Sequence, residues 1–199
     1  MHSRALSVAG AWEFTPQSFA DDRGVFLEWF QHDLLAQSVG HPMTIAQANH
    51  SVSARGVLRG VHFSAVPPGQ AKFVYCPRGA VLDVVVDIRV GSPTFGTWDA
   101  VRLDETDRRS VYLSEGLGHA FMALQHDSAV VYLCSTGYNP TREFGTHPLD
   151  PALNLPWPAE YQPIMSAKDA AAPSLAEAAA AGILPQYEDC LRYQEALRR

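Results

Sequence analysis

The sequence predicts a mainly β fold, an antiparallel sandwich or barrel, and three observations carry that prediction. Short apolar runs recur at residues 57–63, 71–76, 82–89, 111–113 and 130–134, with Gly, Pro or Asp marking the gaps between them. One run has a strict period of two: Leu82, Val84, Val86 and Ile88 are all apolar, while the other parity carries Asp83, Asp87 and Arg89. That pattern is a strand with one buried and one more polar face, and Gly91-Ser92-Pro93 then turns the chain. Helix signals, the third observation, are confined to the flanks. Many short strands without interleaved helices favour antiparallel pairing over a parallel α/β sheet.

Taken in order, the first helix signal covers residues 33–39 and is stopped by Gly40. Pro-rich residues 148–163 read as an ordered loop. Ser174 and Glu177 then form a capping-box pattern ahead of an Ala-rich run that ends at Gly182, with Pro185 beyond. Residues 189–198 read as a final helix. No repeat or low-complexity linker divides the chain. With 199 residues and about 150 per domain, a single domain over 1–199 is expected, with a core at about 10–165 and a C-terminal helical segment from about 166 onward.

Composition narrows the function. A hydrophobic fraction of 47% against 18% charged residues is globular. The net charge of -6 argues against a general nucleic-acid or membrane-surface binder, which needs a basic face. Cys76, Cys134 and Cys190 are odd in number and widely spaced, with no CxxC pair, so reduced thiols are the simple reading. Residues 1–14 lack the apolar run of a signal peptide, and no apolar stretch approaches the ~20 residues that span a bilayer. A cytoplasmic protein is expected.

The densest cluster of chemistry-bearing residues is Gln47-Ala48-Asn49-His50-Ser51-Val52-Ser53, followed by Leu58-Arg59-Gly60-Val61-His62. On a strand, Gln47, Asn49 and Ser51 share one face, and such a face is ordinarily turned to solvent. Arg59 and His62 have opposite parity, and a bulge at Gly60 would bring both to one pocket. Lys72 has Val74 and Cys76 as parity companions, so it either meets an anion on an inward face or guards a strand edge. Tyr132 lies in an apolar run where tyrosines usually serve the core. His119 follows Gly116-Leu117-Gly118, which matches one piece of the metal-binding cupin pattern, but His62-Phe63-Ser64 lacks the second histidine of an HxH pair, so no metal is expected. Dinucleotide, NTP-hydrolysis and acyl-transfer motifs are absent as well.

Taken together, these pieces resemble the dTDP-4-dehydrorhamnose 3,5-epimerase family, in order from about Phe14 to Asp169. The resemblance rests on Asp22-Arg23-Gly24-Val25-Phe26-Leu27-Glu28, Gln47-x-Asn49-x-Ser51-x-Ser53, Leu58-Arg59-Gly60-Val61-His62 and Asp83-x-x-x-Asp87-x-Arg89-x-Gly91-Ser92-Pro93. Gly116-x-x-His119-x-Phe121, Tyr132 with Tyr138, Glu143, and Ser166-Ala167-Lys168-Asp169 complete it. It implies a cupin-type jelly-roll β-barrel with short flanking helices, including C-terminal ones, no cofactor, and a homodimer with strands exchanged across the interface. It implies His62 as a base oriented by Asp169, Tyr132 as the acid on the opposite face of the sugar ring, and Lys72 at the enolate oxygen. Arg23 and Arg59 resemble diphosphate and sugar contacts, and Tyr138 the aromatic that stacks on thymine. Phe26, Glu28, Gln47, Asn49, His119, Glu143 and Lys168 resemble further contacts to a dTDP-ketosugar.

The chemistry suits those residue types. Epimerisation beside a ketone removes an acidified C–H proton and returns one to the other face. Histidine ordinarily titrates near ~6.5 and tyrosine near ~10, which fits a base and an acid at neutral pH. Ser64 stands where the family often has Gln, Gly118 and Ala120 depart from the usual G-F-A-H-G-F, and residues 144–148 replace the commoner run. The sequence therefore leaves open epimerisation at both C3 and C5, at one carbon only of a related dTDP-ketodeoxysugar, or sugar binding without catalysis.

Overall fold

The computed structural model describes residues 1–198, so Arg199, the last residue of the expected C-terminal segment, lies outside the described residues. The strands, numbered along the chain, are β1 (His2–Ala5), β2 (Ala11–Thr15), β3 (Ser18–Asp21), β4 (Gly24–Leu27), β5 (Gln47–Ser53), β6 (Leu58–Ser64) and β7 (Lys72–Arg78). They continue with β8 (Ala80–Val86), β9 (Trp98–Asp104), β10 (Ser110–Leu113), β11 (Gly118–Ala123), β12 (Ser128–Cys134) and β13 (Glu143–Gly145). The helices are α1 (His32–Val39), α2 (Ala167–Ala170), α3 (Leu175–Ala180) and α4 (Tyr187–Leu197).

Two antiparallel sheets of jelly-roll type face each other, in the orders β1-β2-β10-β7-β12-β5 and β13-β6-β11-β8-β9, with β3-β4 as a separate hairpin. No ladder closes the two sheets into a barrel among the described residues, so the expected barrel is an open pair of sheets. Val74, Val81, Val85, Val111, Phe121 and Val130 belong to the core between the sheets. The outer face of the second sheet packs Val84, Val86 and Ile88 against Leu175, Ala178 and Leu184 of the C-terminal segment. On the first sheet, Phe14, Phe73 and Tyr112 pack against Leu35 of α1. Both sheets are thus covered on both sides.

That double cover changes the reading of residues 82–89. The strand stops at Val86, and its more polar parity points inward: Asp83, Asp87 and Arg89 are all at most 1% exposed. Buried charges persist only when paired. Asp83 meets His119 at 2.7 Å, and Arg89 donates Nε and Nη2 to the two Asp87 oxygens at 2.8 Å each. Arg89 also donates to the Ala9 carbonyl and lies 5.0 Å from the Tyr187 ring, which ties α4 to the sheet.

The flanking helices follow their signals. Gly40 ends α1 in the left-handed conformation and donates its N–H to the Ala36 carbonyl. Ser174 and Glu177 form the complete capping box of α3. Residues 148–163 contain neither strand nor helix. The helix α2 was not foreseen, although Ser166-x-x-Asp169 is a cap pattern: Ser166 Oγ accepts from the Asp169 N–H. Among the described residues no helix is long and apolar enough to cross a membrane.

The Asp87–Arg89 pair yields a stability prediction. Burial pushes the Asp87 carboxyl up, but donors from Arg89, Ser92 and Thr94 more than reverse this and hold it below its ordinary value. An unfolded aspartate titrates near ~3.9, so the pair's contribution is complete above that pH and is lost as pH falls through the lower folded value. Asp87→Asn removes the charge facing Arg89 and is expected to cost about 3–5 kcal/mol in urea unfolding at pH 7. It should also flatten the acid limb of stability below about pH 4.

Candidate active site

A cavity of about 260 Å³ opens between the two sheets near the Glu143 end of the second. Its walls show how each strand presents its side chains. On β5, Gln47 and Asn49 line the cavity while Ala48 and His50 face out, so the shared polar face is the inward one. Gln47 Nε2 donates to Asn49 Oδ1 at 2.8 Å, and Gln47 Oε1 accepts from the Tyr138 backbone N–H at 2.8 Å. These bonds fix two amides and the base of an exposed aromatic at the rim.

On β6 the parity problem is solved by one extra residue. His119 of β11 pairs with His62, and Phe121 pairs with Arg59, so three steps on β6 match two on β11. Such a bulge re-aims the side chains beyond it, and Arg59 and His62 both line the cavity. Gly60 makes the bulge possible. Its φ is +124°, and a Cβ there would stand 2.4 Å from the Ala120 Cβ.

His62 Nε2 lies 2.6 Å from Asp169 Oδ1. A carboxylate can only accept, so Nε2 carries the hydrogen, and Nδ1, which has no hydrogen bond among the described residues, keeps its lone pair. Burial raises the Asp169 carboxyl, but the His62 bond, Ser166 and the Gly60 backbone N–H outweigh it, and the group stays below its ordinary range. The dyad is therefore an ionised carboxylate holding one tautomer of an imidazole.

The facing sheet supplies Tyr132 from β12 and Lys72 from the adjacent β7, with Nζ 6.0 Å from the Tyr132 ring centre. Burial pushes the Tyr132 phenol above its ordinary value, so it holds its proton at neutral pH. Lys72 is 7% exposed, on the inward face. His62 and Tyr132 thus reach the cavity from opposite walls.

Glu143 and Lys168 also line the cavity. The other predicted contacts stand elsewhere. His119 is buried beside His62 in register and is bound to Asp83, outside the cavity lining. Arg23 and Phe26 sit on the β3–β4 hairpin with Glu28 just beyond, and none of the three reaches this chain's own cavity. Arg23 is bound to Asp21, and Glu28 accepts from Gln31.

Sequence reading missed several lining residues, among them Gln70, Phe144 and Ser166. Only the Ser166 cap pattern gave a usable signal. It also missed Ser64, whose Oγ donates to Glu143 Oε1 at 2.8 Å. Among the described residues, no group of three or more His, Cys, Asp or Glu side chains is placed to hold a metal ion.

Comparison with known proteins matches this architecture. The family model for dTDP-4-dehydrorhamnose 3,5-epimerase matches residues 5–177. A dTDP-4-dehydrorhamnose 3,5-epimerase of Mycolicibacterium smegmatis is 60% identical over 100% of this chain and 98% of its own length. The Mycobacterium tuberculosis rmlC epimerase superposes with a TM-score of 0.98 at 50% identity, covering 100% of both chains. A 3'-monoepimerase from Streptomyces bikiniensis, solved in complex with dTDP-quinovose, gives a TM-score of 0.95 at 49% identity over 97% of this chain and 98% of that one. With a histidine–aspartate dyad on one wall of the cavity, a tyrosine and a lysine on the other, and a match across most of its length, this chain is an epimerase and belongs to the dTDP-4-dehydrorhamnose 3,5-epimerase family.

Proposed function

We propose that the protein converts dTDP-4-dehydro-6-deoxy-D-glucose to dTDP-4-dehydro-L-rhamnose by epimerising C3 and C5. The observation that carries this reading is the opposition of His62–Asp169 and Tyr132–Lys72 across one cavity. Both carbons flank the 4-keto group, so both carry acidified hydrogens. The lone pair of His62 Nδ1 takes the proton from one face, and Asp169 stabilises the imidazolium that forms. The electron pair moves to O4, where the Lys72 ammonium meets the developing enolate in a largely desolvated setting. Tyr132 then delivers its phenolic proton to the carbon from the other face. All bonds broken and formed are C–H, N–H and O–H, so no redox partner enters the balance.

The remaining residues address the rest of the molecule. Arg59 and Lys168 supply cations for the diphosphate, and exposed Tyr138 offers a ring for the thymine. His119, Arg23, Phe26 and Glu28 belong to the same ligand set. The last three act across a homodimer, in which the β3–β4 hairpin reaches the partner's cavity. Phe19, Val25 and Phe26, at 52%, 44% and 65% exposed, give that hairpin an apolar surface suited to burial. The whole chain, 1–199, works as one cytoplasmic epimerase domain. Sedimentation equilibrium is expected to return twice the 21.8 kDa chain mass; a monomer would remove Arg23, Phe26 and Glu28 from the site.

A second reading is epimerisation at one carbon only, favoured by the likeness to the Streptomyces bikiniensis 3'-monoepimerase. Proton NMR of dTDP-4-keto-6-deoxyglucose with the enzyme in deuterated buffer separates the two. Deuterium is expected at both C3 and C5, and deuterium at a single carbon would make the protein a mono-epimerase.

The assignment of base and acid predicts different failures. His62→Asn should lower exchange by about 10²–10⁴-fold at every carbon. Tyr132→Phe should keep solvent exchange into the substrate while losing inversion, because His62 can still remove a proton and return one to the same face. Equal loss of exchange in both variants would sink the division of roles.

A further inference from the structure

Lys72 is a buried cation without a paired anion. It makes no ion pair and no hydrogen bond through Nζ among the described residues, although it is only 7% exposed. Two other carboxylates near the sheets meet their partners directly: Asp87 meets Arg89 at 2.8 Å and Asp169 meets His62 at 2.6 Å. An ammonium withdrawn from water tends to lose its proton unless a negative charge stands close.

Cys134 and Tyr132 of β12, Asp83 of β8 and Glu143 of β13 act on Lys72 from the strands around it, and Arg59, His62, Lys168 and the His62-bound Asp169 share its cavity. Burial keeps the Cys134 thiol and the Tyr132 phenol protonated, so neither carries charge at neutral pH. Asp83 gives Oδ2 to His119 at 2.7 Å, leaves Oδ1 buried without a partner, and stands outside the cavity lining. Glu143 is the other carboxylate. It lines the same cavity as Lys72, and one of its oxygens is tethered: Ser64 Oγ donates to Oε1 at 2.8 Å. Ser64 is 8% exposed and is the register partner of Glu143 across β6 and β13, so the tether is short, local and shielded. The second oxygen, Oε2, makes no hydrogen bond to the described residues.

We propose that Ser64 is a positioning residue that holds Glu143 as the counter-charge of Lys72. The pair sets the protonation of the lysine in the free protein; its catalytic consequence rests on the enolate role proposed above. Burial lowers the Lys72 ammonium from its ordinary range and Glu143 opposes that shift. Removing the carboxylate must therefore lower the titration of the lysine further, leaving less ammonium at any pH near or above its midpoint. The alkaline limb of activity then moves to lower pH.

The composition makes the test direct, because Lys72 and Lys168 are the only two lysines in the sequence. Protein labelled with ¹³C at lysine Cε gives two signals, assigned with Lys168→Arg, and the Lys72 signal is titrated in the free protein. Glu143→Gln, close in shape to the wild type, is expected to lower the Lys72 midpoint by about one unit or more. Ser64→Ala should move it the same way by less, and Ser64→Thr, which keeps the hydroxyl, should restore it. In each variant the alkaline limb of kcat/KM should follow the midpoint. An unmoved Lys72 midpoint in Glu143→Gln overturns the proposal, as does a Ser64→Thr midpoint that stays with Ser64→Ala. The titration needs no substrate. A Lys72 midpoint that moves as expected, with an alkaline limb that does not follow, supports the counter-charge and overturns the enolate role.

Discussion

A strand presents alternate side chains to opposite faces, and β6 departs from that constraint at one point. Without the extra residue between Arg59 and His62, one of the two would face away from the cavity. Gly60 permits the departure because the backbone there runs at positive φ against Ala120, with no room for a side chain. The consequences spread outward. His62 is aimed at Asp169, whose bond draws the capped turn of α2 against the sheet. The carboxylate also receives the Gly60 N–H, so the residue that makes the bulge helps orient the dyad that depends on it.

Around that bulge the molecule handles buried charge in two ways. Asp87 and Arg89 neutralise each other within a few ångströms and are surrounded by further donors, an arrangement that locks the C-terminal segment against the sheet. His119 and Asp83 also meet directly, at 2.7 Å, on the strands beside His62. For Lys72 the proposed counter-charge, Glu143, makes no direct ion pair and is tied to Ser64 on the facing sheet. A lysine locked to a carboxylate would spend its charge on that partner. One balanced across a cavity keeps its donors free for an oxygen that becomes negative during reaction.

The sheet core was legible because its strands carry period-two or continuous apolar patterns, and the capping box at Ser174 and Glu177 was legible because a cap is a local contract between residues three apart. The polar parity of residues 82–89 misled, since a period of two distinguishes faces but cannot say that helices cover one and a second sheet the other. At the site, Gln47, Asn49, Arg59, Lys72 and Tyr132 were individually ambiguous, and only the opposed sheets turn them toward one space. The Ser64–Glu143 bond was not readable at all, because it joins residues 79 apart in sequence through the pairing of two edge strands. The β3–β4 hairpin shows the remaining limit: its residues do not reach their own chain's cavity, and the role proposed for them lies on a surface outside it.

The opposition of His62 and Tyr132 also locates what distinguishes one epimerisation from two. On the proposed reaction, C3 and C5 lie on either side of the same carbonyl, and a single base and a single acid on fixed walls can serve both in turn. For the second exchange the sugar ring must turn while O4 stays near Lys72 and the nucleotide stays at the rim. On that reading the choice between one carbon and two is set by the room and the contacts around the ring, at cavity-lining positions such as Glu143 and Phe144, and not by the proposed base and acid. Sequences that share His62, Tyr132, Lys72 and Asp169 can then differ in outcome while their motifs stay the same, because the freedom of the ring is a property of a cavity of about 260 Å³ and is not encoded in any one of those four side chains.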